Sequence, residues 1–295
     1  MAIPKGTLVL IGGAEDKRED NKPDISQYSQ AFEPFEILTH LLSQGNGDCS
    51  VEVVTTASSV PEEIGNDYRE AFQKVGFQKI GLLHISTREE ARNEQYLERL
   101  AGAGVVFFTG GDQFRLSTLL GGTPVESLLK RRYKEEKNFV LAGTSAGAMV
   151  MSRVMLYEGH RTEALLKGDV KTASGLGFLE GCIVDTHFVK RGRIGRLTQA
   201  VISNPSCIGI GLGEDTALVV KGGNRMECLG SGMVVILDPS DMKHSNVHYA
   251  QNNTPLCVEH LVMHILSRGS AYLLKERQFV QGKADLEELA STAGG

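Results

Sequence analysis

A segment in the middle of the chain joins an apolar run to a run of very small residues. Residues 139–142 (Phe-Val-Leu-Ala) predict a buried strand, and Gly-Thr-Ser-Ala-Gly at residues 143–147 leads into a helix-forming run. This is the G-x-S-x-G pattern in the strand–turn–helix setting of a nucleophile elbow. Ser145 is therefore the candidate nucleophile, and the backbone N–H of Ala146 is expected to face a developing oxyanion. The alternative is a turn of small residues that only lets a helix pack closely on a sheet.

Apolar runs alternate with helical patterns from the start of the chain to this elbow. The runs lack the polar alternation of half-exposed strands, so they indicate a mainly parallel sheet covered by helices on both faces. We expect a single α/β domain over residues 1–295, with a frayed polar tail at residues 285–295. The predicted strands are residues 6–11, 51–56, 80–85 and 105–108, and the predicted helices are residues 32–42, 61 to at least 75, 87–100 and 124–134.

Beyond the elbow the pattern becomes less regular. Residues 157–173 are polar and are expected to form an irregular surface excursion. Short β segments at residues 216–220, 226–229 and 233–237 predict a small antiparallel extension of the sheet. A helix is predicted over residues 258–266 and carries two histidines with i, i+4 spacing. No matching carboxylate or cysteine accompanies them, so no metal site is predicted.

A serine nucleophile needs a base and a group that orients the base. His187 is the strongest candidate base, because it ends the apolar run at residues 182–187. Glu214 or Asp215, at the end of the next strand, is expected to orient it, and the sequence leaves the choice between them open. The chain order of serine, histidine and acid differs from that of α/β-hydrolases, which indicates a different fold.

Three arginines follow the histidine closely, at positions 191, 193 and 196. Guanidinium groups bind carboxylates through paired, charge-assisted hydrogen bonds, so this cluster beside a catalytic base favours an anionic substrate over a solvated helix face. A second loop, Gly-Gly-Asp-Gln at residues 110–113, ends a neighbouring strand. Its backbone at Gly111 and Asp112 is expected to give a second oxyanion donor, and Gln113 an orienting hydrogen bond.

A third loop follows the first strand, where Gly12 and Gly13 precede two acids. The third glycine of a nucleotide fingerprint is missing, so that signal is weak. Glu15 and Asp16 either line a pocket for a cationic group or form a solvated turn.

Composition narrows the function further. The net charge of -5 and the sequence pI of about 5.9 argue against a nucleic-acid partner. The 5 cysteines form no C-x-x-C pair, which suggests reduced and mostly buried thiols. No run has the character of a signal peptide or the length of a membrane span, so we expect a cytoplasmic protein with no membrane partner.

Taken together, ordered motifs in this chain resemble the cyanophycinase family, which comprises serine-type exopeptidases related to dipeptidase E. The resemblance extends from residue 6 to about residue 266 and includes the elbow. The motifs are Gly-Gly-Asp-Gln at 110–113, Gly-Thr-Ser-Ala-Gly-Ala at 143–148, Asp-Thr-His-Phe at 185–188 with Arg-Gly-Arg-Ile-Gly-Arg-Leu at 191–197, and Gly-Leu-Gly-Glu-Asp-Thr-Ala at 211–217.

The resemblance implies a flavodoxin-like sheet of the class I glutamine amidotransferase type, assembled as a homodimer. It makes Ser145 the nucleophile, His187 the base and Glu214 the orienting acid. One position departs from the cyanobacterial members, which have glutamine where Thr186 stands. The implied substrate-binding residues are Gln113, Asp185, Thr186, Arg191, Arg193 and Arg196.

The implied substrate is the polymer cyanophycin, a poly-aspartate chain with arginine on each side-chain carboxyl, which is released as β-Asp-Arg dipeptides. The enzyme's arginines would hold the aspartyl chain, while Asp185, Glu15 or Asp16 would receive the substrate guanidinium. Catalysis would pass through an acyl-enzyme on Ser145 and would need no metal or organic cofactor. The alternatives are a dipeptidase E-like enzyme that cleaves α-aspartyl dipeptides, and a non-catalytic binding protein on the same fold.

Overall fold

A computed structural model describes residues 3–17, 24–27, 29–30, 32–45, 50–159 and 165–282 of the chain. Its largest feature is a sheet of nine strands. The strands of its parallel half are β1 (Thr7–Ile11), β2 (Ser50–Val54), β3 (Lys79–Leu83), β4 (Val105–Phe108) and β5 (Val140–Thr144). Within the sheet these strands have the order β1, β5, β4, β2, β3.

Helices connect the parallel strands and cover both faces of the sheet. Leu8 and Leu10 of β1 pack into one hydrophobic cluster, whereas Val9 and Ile11 pack into another on the opposite face. All four side chains are fully buried, which explains why the strand sequence is continuously apolar. The helices are α1 (Glu36–Gln44), α2 (Pro61–Val75), α3 (Glu94–Gly102), α4 (Gln113–Leu120) and α5 (Pro124–Glu135), with short 3₁₀ helices at Asp24–Gln27 and Glu90–Arg92.

The second half of the chain adds antiparallel strands and a second sheet. The main sheet continues from β1 through β10 (Thr216–Lys221), β11 (Arg225–Gly230), β16 (Ser270–Leu273) and β17 (Gln278–Gln281). The four-stranded second sheet contains β15 (Val262–Leu266), β12 (Val234–Asp238), β9 (Ile208–Leu212) and β8 (Cys182–Asp185). The remaining elements are α6 (Ala146–Met149), β6 (Val154–Glu158), β7 (Lys171–Ser174), α7 (Ile194–Ser203), β13 (His244–Ser245) and β14 (Val258–Glu259).

The predicted α/β architecture is confirmed, and the two sheets share one core. The largest hydrophobic cluster contains Leu8 of the main sheet together with Val184 and Leu266 of the second sheet. The predicted antiparallel extension divides between the sheets, because β10 and β11 extend the main sheet whereas β12 pairs with β9. The strand before His187 therefore lies beside β9 and not in the main sheet.

The helix predicted over residues 258–266 is wrong. This segment forms β14 and β15, and β15 pairs antiparallel with β12, where His264 lies opposite Ile236. Exposure along β15 is greatest at every second residue, with Met263 and Ile265 on the outer face, which is the period of a strand. His260 has a φ of 61°, in the left-handed region, so the two histidines do not share a helix face.

Other expectations for the periphery have mixed outcomes. The excursion at residues 157–173 is irregular only in part, since Glu158 and residues 171–173 lie in the paired strands β6 and β7. The tail at residues 285–295 lies outside the described residues, as does Cys49. Cys182, Cys207 and Cys228 are free and buried, and Cys257 is free and exposed. Across the described ranges, no helix combines the length and the apolar character that a bilayer crossing requires.

Candidate active site

The elbow forms where β5 ends and α6 begins. Ser145 lies between them with φ 51° and ψ −113°, a backbone conformation that non-glycine residues rarely adopt. Its neighbours have to be small. A Cβ on Gly143 would lie 2.4 Å from the carbonyl oxygen of Gly147, and a Cβ on Gly147 would lie 2.3 Å from that of Phe108. The glycines of the motif therefore allow the helix to start directly against the sheet.

The loop after β1 brings the ends of several strands together. The backbone N–H groups of Ser145, His187 and Asp215 donate to the carbonyl oxygens of residues 11, 12 and 13, at 3.0, 2.8 and 3.0 Å respectively. Only glycine fits there, because a Cβ on Gly13 would lie 2.3 Å from Nε2 of His187. The sequence showed the paired glycines, and in the structure their carbonyl oxygens hold His187 and Asp215 in place near the ends of two other strands.

Three candidate side chains meet at this point. Oγ of Ser145 lies 3.1 Å from Nε2 of His187, and Nδ1 of His187 lies 2.7 Å from Oε1 of Glu214. Residues from the ends of β5, β8 and β9 thus form one continuous chain of hydrogen bonds. Nζ of Lys190 lies 3.2 Å from Oε2 of the same glutamate, a contact that the sequence analysis did not anticipate.

The surroundings of His187 favour a neutral imidazole. Burial lowers the pKa of His187, and the positive charges of Arg191 and Arg193 lower it further, whereas the hydrogen bond to Glu214 opposes these effects. An ionised carboxylate only accepts hydrogen bonds, so Nδ1 of His187 carries the proton towards Glu214. Nε2 is then the acceptor that faces the Ser145 hydroxyl, which is the arrangement a general base requires.

The choice between the two adjacent acids follows from their positions. Asp215 is buried, and its carboxylate accepts hydrogen bonds from the backbone N–H of Asp16 at 3.2 Å and from the Ser231 hydroxyl. Burial raises the pKa of Asp215 to about 6. Glu214 forms a hydrogen bond with His187, whereas Asp215 forms none with it in the described part of the chain, so Glu214 is the acid that faces the imidazole.

The expectation for Glu15 and Asp16 is wrong in both of its forms. Glu15 is only 3% exposed and accepts hydrogen bonds from the Thr144 hydroxyl at 2.7 Å and from the Tyr68 hydroxyl. Asp16 is equally buried and accepts from the backbone N–H of Phe35 at 3.0 Å. These acids form neither a solvated turn nor a pocket wall. Glu15 instead supports the residue that precedes the nucleophile.

Asp185 does not line a substrate pocket. Its side chain is fully buried and accepts from Nη1 of Arg193 at 3.0 Å, from Nε of Arg196 at 2.6 Å and from Nη2 of Arg196. Its carboxylate therefore has no exposed atom with which to receive a substrate guanidinium. The expectation that Asp185 binds substrate directly is wrong, because its charge is already matched within the protein.

Thr186 also points away from solvent. Its side chain is fully buried, and its hydroxyl donates to the sulfur of Met149 at 3.4 Å. The predicted substrate contact through this side chain is therefore wrong, although its backbone carbonyl accepts from Arg193 at 2.7 Å. Among the predicted arginines only Arg191 is exposed, whereas Arg193 and Arg196 have side chains that are 12% and 9% exposed.

The Gly-Gly-Asp-Gln loop lies beside the nucleophile. A Cβ on Gly110 would lie 3.5 Å from Cβ of Ser145. The N–H of Asp112 is not available as an oxyanion donor, because it donates to the carbonyl of Ala57 at 2.9 Å. Nε2 of Gln113 donates to the carbonyl oxygen of Leu156 at 3.0 Å. This leaves the N–H of Gly111 as the candidate donor from this loop.

Comparison with known proteins gives an independent view of this site. The sequence model of Peptidase family S51 matches residues 24–227, a range that contains Ser145, His187 and Glu214. The chain is 36% identical over 286 residues to a cyanophycinase of Thermosynechococcus vestitus, covering 97% of this chain and 84% of that protein. It is also 36% identical over 281 residues to a cyanophycinase of Nostoc sp., covering 94% of this chain and 89% of that protein.

A solved structure has the same fold. The crystal structure of a peptidase from an acI-B1 Actinobacterium matches with a TM-score of 0.64 and 22% sequence identity. The match covers 92% of this chain and 98% of the other. At this identity the likeness supports the fold alone.

Proposed function

Because this chain belongs to peptidase family S51 and is a serine-type peptidase, we propose that it hydrolyses cyanophycin and releases β-Asp-Arg dipeptides. One observation carries the proposal. The hydrogen-bonded series Ser145, His187 and Glu214 lies at a strained elbow, in a chain that is 36% identical to proteins named cyanophycinase. A binding protein needs no such series, so the non-catalytic alternative lacks support.

The proposed reaction begins with a proton transfer. Nε2 of His187 accepts the hydroxyl proton of Ser145 as Oγ attacks a carbonyl carbon of the aspartyl main chain. Glu214 stabilises the imidazolium that forms and keeps the ring in the correct orientation. His187 then gives the proton to the leaving amine, so that an ester with Ser145 remains. Water, activated by the same histidine, hydrolyses this acyl-enzyme and restores the serine.

Backbone N–H groups are the proposed donors to the tetrahedral oxyanion. Ala146 is the first residue of α6, and the first N–H groups of a helix have no partner within the helix. Gly111 lies in the loop that packs against Ser145, and its φ of 141° requires glycine. A Cβ at Gly111 would also lie 2.0 Å from the carbonyl oxygen of Ala57. Losing one such donor typically costs about 10²–10³-fold in kcat.

Positive charge beside His187 suits a substrate that carries free carboxylates. Arg191 and Lys190 are exposed, and Lys190 contacts Glu214. Asp185 neutralises only part of the charge of Arg193 and Arg196, so the region stays positive in a chain whose net charge is -5. We propose that Arg191 and the partly exposed edge of Arg193 bind the substrate's free carboxylates through charge-assisted hydrogen bonds.

The arginine side chains of the polymer need an acceptor. Nε2 of Gln113 is held by Leu156, so Oε1 of the same amide is left to accept from a guanidinium. This assignment replaces Asp185, Glu15 and Asp16, whose carboxylates are buried in the protein's own contacts. Poly-aspartate without arginine is therefore expected to be a poor substrate.

Incubation with insoluble cyanophycin tests the proposal most simply. The soluble products are identified by mass spectrometry over time, with Ser145→Ala protein as the control. We expect β-Asp-Arg dipeptides from the earliest time points without longer soluble oligomers, because release from a chain end gives one unit at a time. No dipeptide from the wild-type protein would refute the proposed substrate.

The same assay with other substrates separates the dipeptidase E-like alternative. Steady-state kinetics are compared for cyanophycin, for poly-aspartate and for an α-linked aspartyl dipeptide. We expect the polymer to be cleaved and the α-linked dipeptide to be cleaved poorly. An equal or higher kcat/KM for the α-linked dipeptide would favour the dipeptidase E-like alternative. In that case Ser145 would still be the nucleophile.

Three further expectations concern the domain organisation, assembly and location of the protein. We propose that the chain acts as a single α/β unit, as a homodimer in the cytoplasm. The shared hydrophobic core of the two sheets supports the single unit, and the resemblance to cyanophycinases motivates the dimer. Sedimentation velocity at micromolar concentration measures the assembly directly, and a monomer across that range would contradict the homodimer.

A further inference from the structure

A cavity of about 810 Å³ lies at the opposite edge of the sheet from Ser145. Ser145 follows the carboxyl end of β5, whereas this cavity is lined by Ile3 and Pro4 before β1, by Ile208 at the start of β9, and by the Gly222–Gly223 turn after β10. The volume falls within the range of small-molecule sites. The cavity is therefore separate from the nucleophile elbow and from the edge of the sheet at which Ser145 lies.

The charged groups of this cavity are mainly positive. Lys130, Lys134, Lys275 and Arg277 line it together with Glu180. Lys130 is paired with Glu126 at 2.7 Å, and Arg277 is paired with Asp238. In the described part of the chain, the ammonium groups of Lys134 and Lys275 form no ion pair. A positive cavity is notable in a chain with a net charge of -5.

A buried hydroxyl lies in the wall of the same cavity. Tyr133 is only 4% exposed, and within the described residues its hydroxyl has no hydrogen-bond partner. This oxygen lies 3.7 Å from the position of a Cβ on Gly223, another residue of the cavity wall. Burial raises the pKa of Tyr133, so the group remains a protonated donor. Buried donors are almost always paired, and an unpaired one therefore points to a ligand.

Apart from Ser206, the rest of the wall consists of apolar side chains and glycines. Phe178, Leu179 and Leu274 line the cavity near Tyr133, and the rings of Tyr133 and Phe178 meet edge to face with centroids 6.3 Å apart. Sites of this kind bind ligands whose body fills the apolar part while a few polar groups fix the orientation.

We propose that this cavity is a second ligand site, which binds a small organic anion with an apolar body. The anionic oxygens meet the ammonium groups of Lys134 and Lys275 and accept the hydrogen of the Tyr133 hydroxyl. The body packs on Phe178 and Leu274. The site is separate from the peptidase centre, and its occupancy does not depend on which peptide the enzyme cleaves.

Isothermal titration calorimetry with simple probes tests the site. 3-Phenylpropionate provides a carboxylate, phenyl phosphate provides a phosphate, and 3-phenylpropan-1-ol is the uncharged control. We expect at least one anion to bind with a Kd of about 1 mM or below and the alcohol to bind about 10-fold or more weakly, because charge-assisted hydrogen bonds are lost. The stronger of the two anions identifies the natural head group. Failure of both anions to bind, or equal binding of the alcohol, would refute the proposal.

Amino-acid substitutions test whether the anionic probe binds in this cavity. Lys134→Ala combined with Lys275→Ala is expected to weaken the better anion about 10-fold or more, because both proposed charges are lost. Tyr133→Phe is expected to weaken it about 3- to 10-fold without lowering Tm, since the removed hydroxyl has no partner in the protein. Arg131→Ala is the matched control on the same helix, and Arg191→Ala tests the peptidase side. Unchanged binding in the double variant, or loss of binding in Arg191→Ala, would place the anion elsewhere and overturn the assignment.

Discussion

Two hydrogen-bonded networks begin in one short segment and differ in the exposure of the residue at their centre. His187 contacts Ser145 and Glu214, and the side chains of His187 and Glu214 remain 13% and 15% exposed. Asp185, only slightly earlier in the chain, is fully buried and is bound by Arg193 and Arg196. The first network can exchange a proton with a substrate, whereas in the second the buried carboxylate of Asp185 is paired within the protein.

This difference separates the residues that take part in the reaction from those that hold the segment in place. A group that transfers protons needs access to the reacting atoms and a pKa near the working pH. A buried ion pair needs complete pairing, because an unmatched buried charge is very costly. We therefore assign catalysis to the network of Ser145, His187 and Glu214. The contacts of Asp185 with Arg193 and Arg196 position the segment, and the partly exposed edge of Arg193 is the part proposed to meet substrate. The predictions below test this division, from the largest expected effect to the smallest.

The largest effect is expected at the acid that contacts the histidine. Glu214→Gln should reduce kcat by about 10³–10⁴-fold, because an amide neither stabilises the imidazolium nor selects the required tautomer. Tm should change little, since Glu214 is partly exposed. Asp215→Asn is the matched control and should retain activity within about 10-fold, since the carboxylate of Asp215 accepts hydrogen bonds from Asp16 and Ser231 whereas the imidazole is bonded to Glu214. The reverse ranking in steady-state kinetics would assign the catalytic role to Asp215.

A substitution in the second network should lower the stability of the protein. Asp185→Asn leaves the buried guanidinium of Arg196 and the partly exposed one of Arg193 without their carboxylate. Breaking a buried ion pair typically costs about 3–5 kcal/mol in the free energy of unfolding. Glu158→Gln is the control, because Glu158 forms an exposed pair with Lys171 that is expected to contribute about 0–1 kcal/mol. Urea denaturation measures both. If Asp185→Asn abolished hydrolysis while its unfolding free energy stayed unchanged, Asp185 would belong to the substrate site.

These two networks also show what the sequence could predict. Ser145 and His187 could be proposed because each lies at the end of a predicted strand, and parallel strand ends converge at one edge. Position alone left the choice between Glu214 and Asp215 open, and only the family resemblance favoured Glu214. The α/β class followed from the same apolar strands. For Ser145, residue type and position were sufficient, because the motif at residues 143–147 has few structural alternatives.

The burial of Asp185 and Thr186 could not be predicted in this way. Whether a polar residue at a strand end faces a pocket or the core depends on the packing of later elements. Here α7 begins at Ile194 and brings Arg196 back over Asp185. A cluster of arginines beside a histidine therefore has the same sequence pattern whether its charges face a substrate or an internal carboxylate.

The error at residues 258–266 has a different cause. Valine, leucine and isoleucine recur in this segment at intervals that fit both a helix and a strand. Pairing with β12 decides the outcome, because Val235 and Leu237 of the partner strand are contacts distant in sequence. β-branched residues, which favour strands, were the available signal against the helix.

A smaller effect is expected in the pH dependence of the reaction. His187 must be neutral to act as a base, and burial lowers its pKa below the ordinary value of 6.5. The acidic limb of kcat/KM should therefore lie below pH 6.5. The positive charge of Arg191 contributes to this shift, so Arg191→Ala should move the limb to higher pH as well as raise KM. A limb that moved to lower pH in this variant would show that Arg191 does not act on His187 through its charge.

The smallest effect concerns Asp215, whose pKa rises from 3.8 to about 6 on folding. The folded protein then holds this proton more tightly than the unfolded chain does. Its stabilising contribution is present below the unfolded pKa and is lost as the pH rises through about 6. Asp215→Asn should therefore reduce the loss of Tm between pH 4 and pH 7 relative to the wild-type protein. A larger loss of Tm in the variant would contradict this sign.

Covalent labelling of the nucleophile tests the central assignment most directly. The protein is incubated with a fluorophosphonate, and the modified peptide is identified by mass spectrometry. The account predicts a single adduct on Ser145, formed far more slowly in His187→Ala protein, because the neutral imidazole no longer removes the hydroxyl proton. Rapid labelling of Ser145 that is unaffected by His187→Ala, or an adduct confined to a different residue, would contradict the proposed network of Ser145, His187 and Glu214.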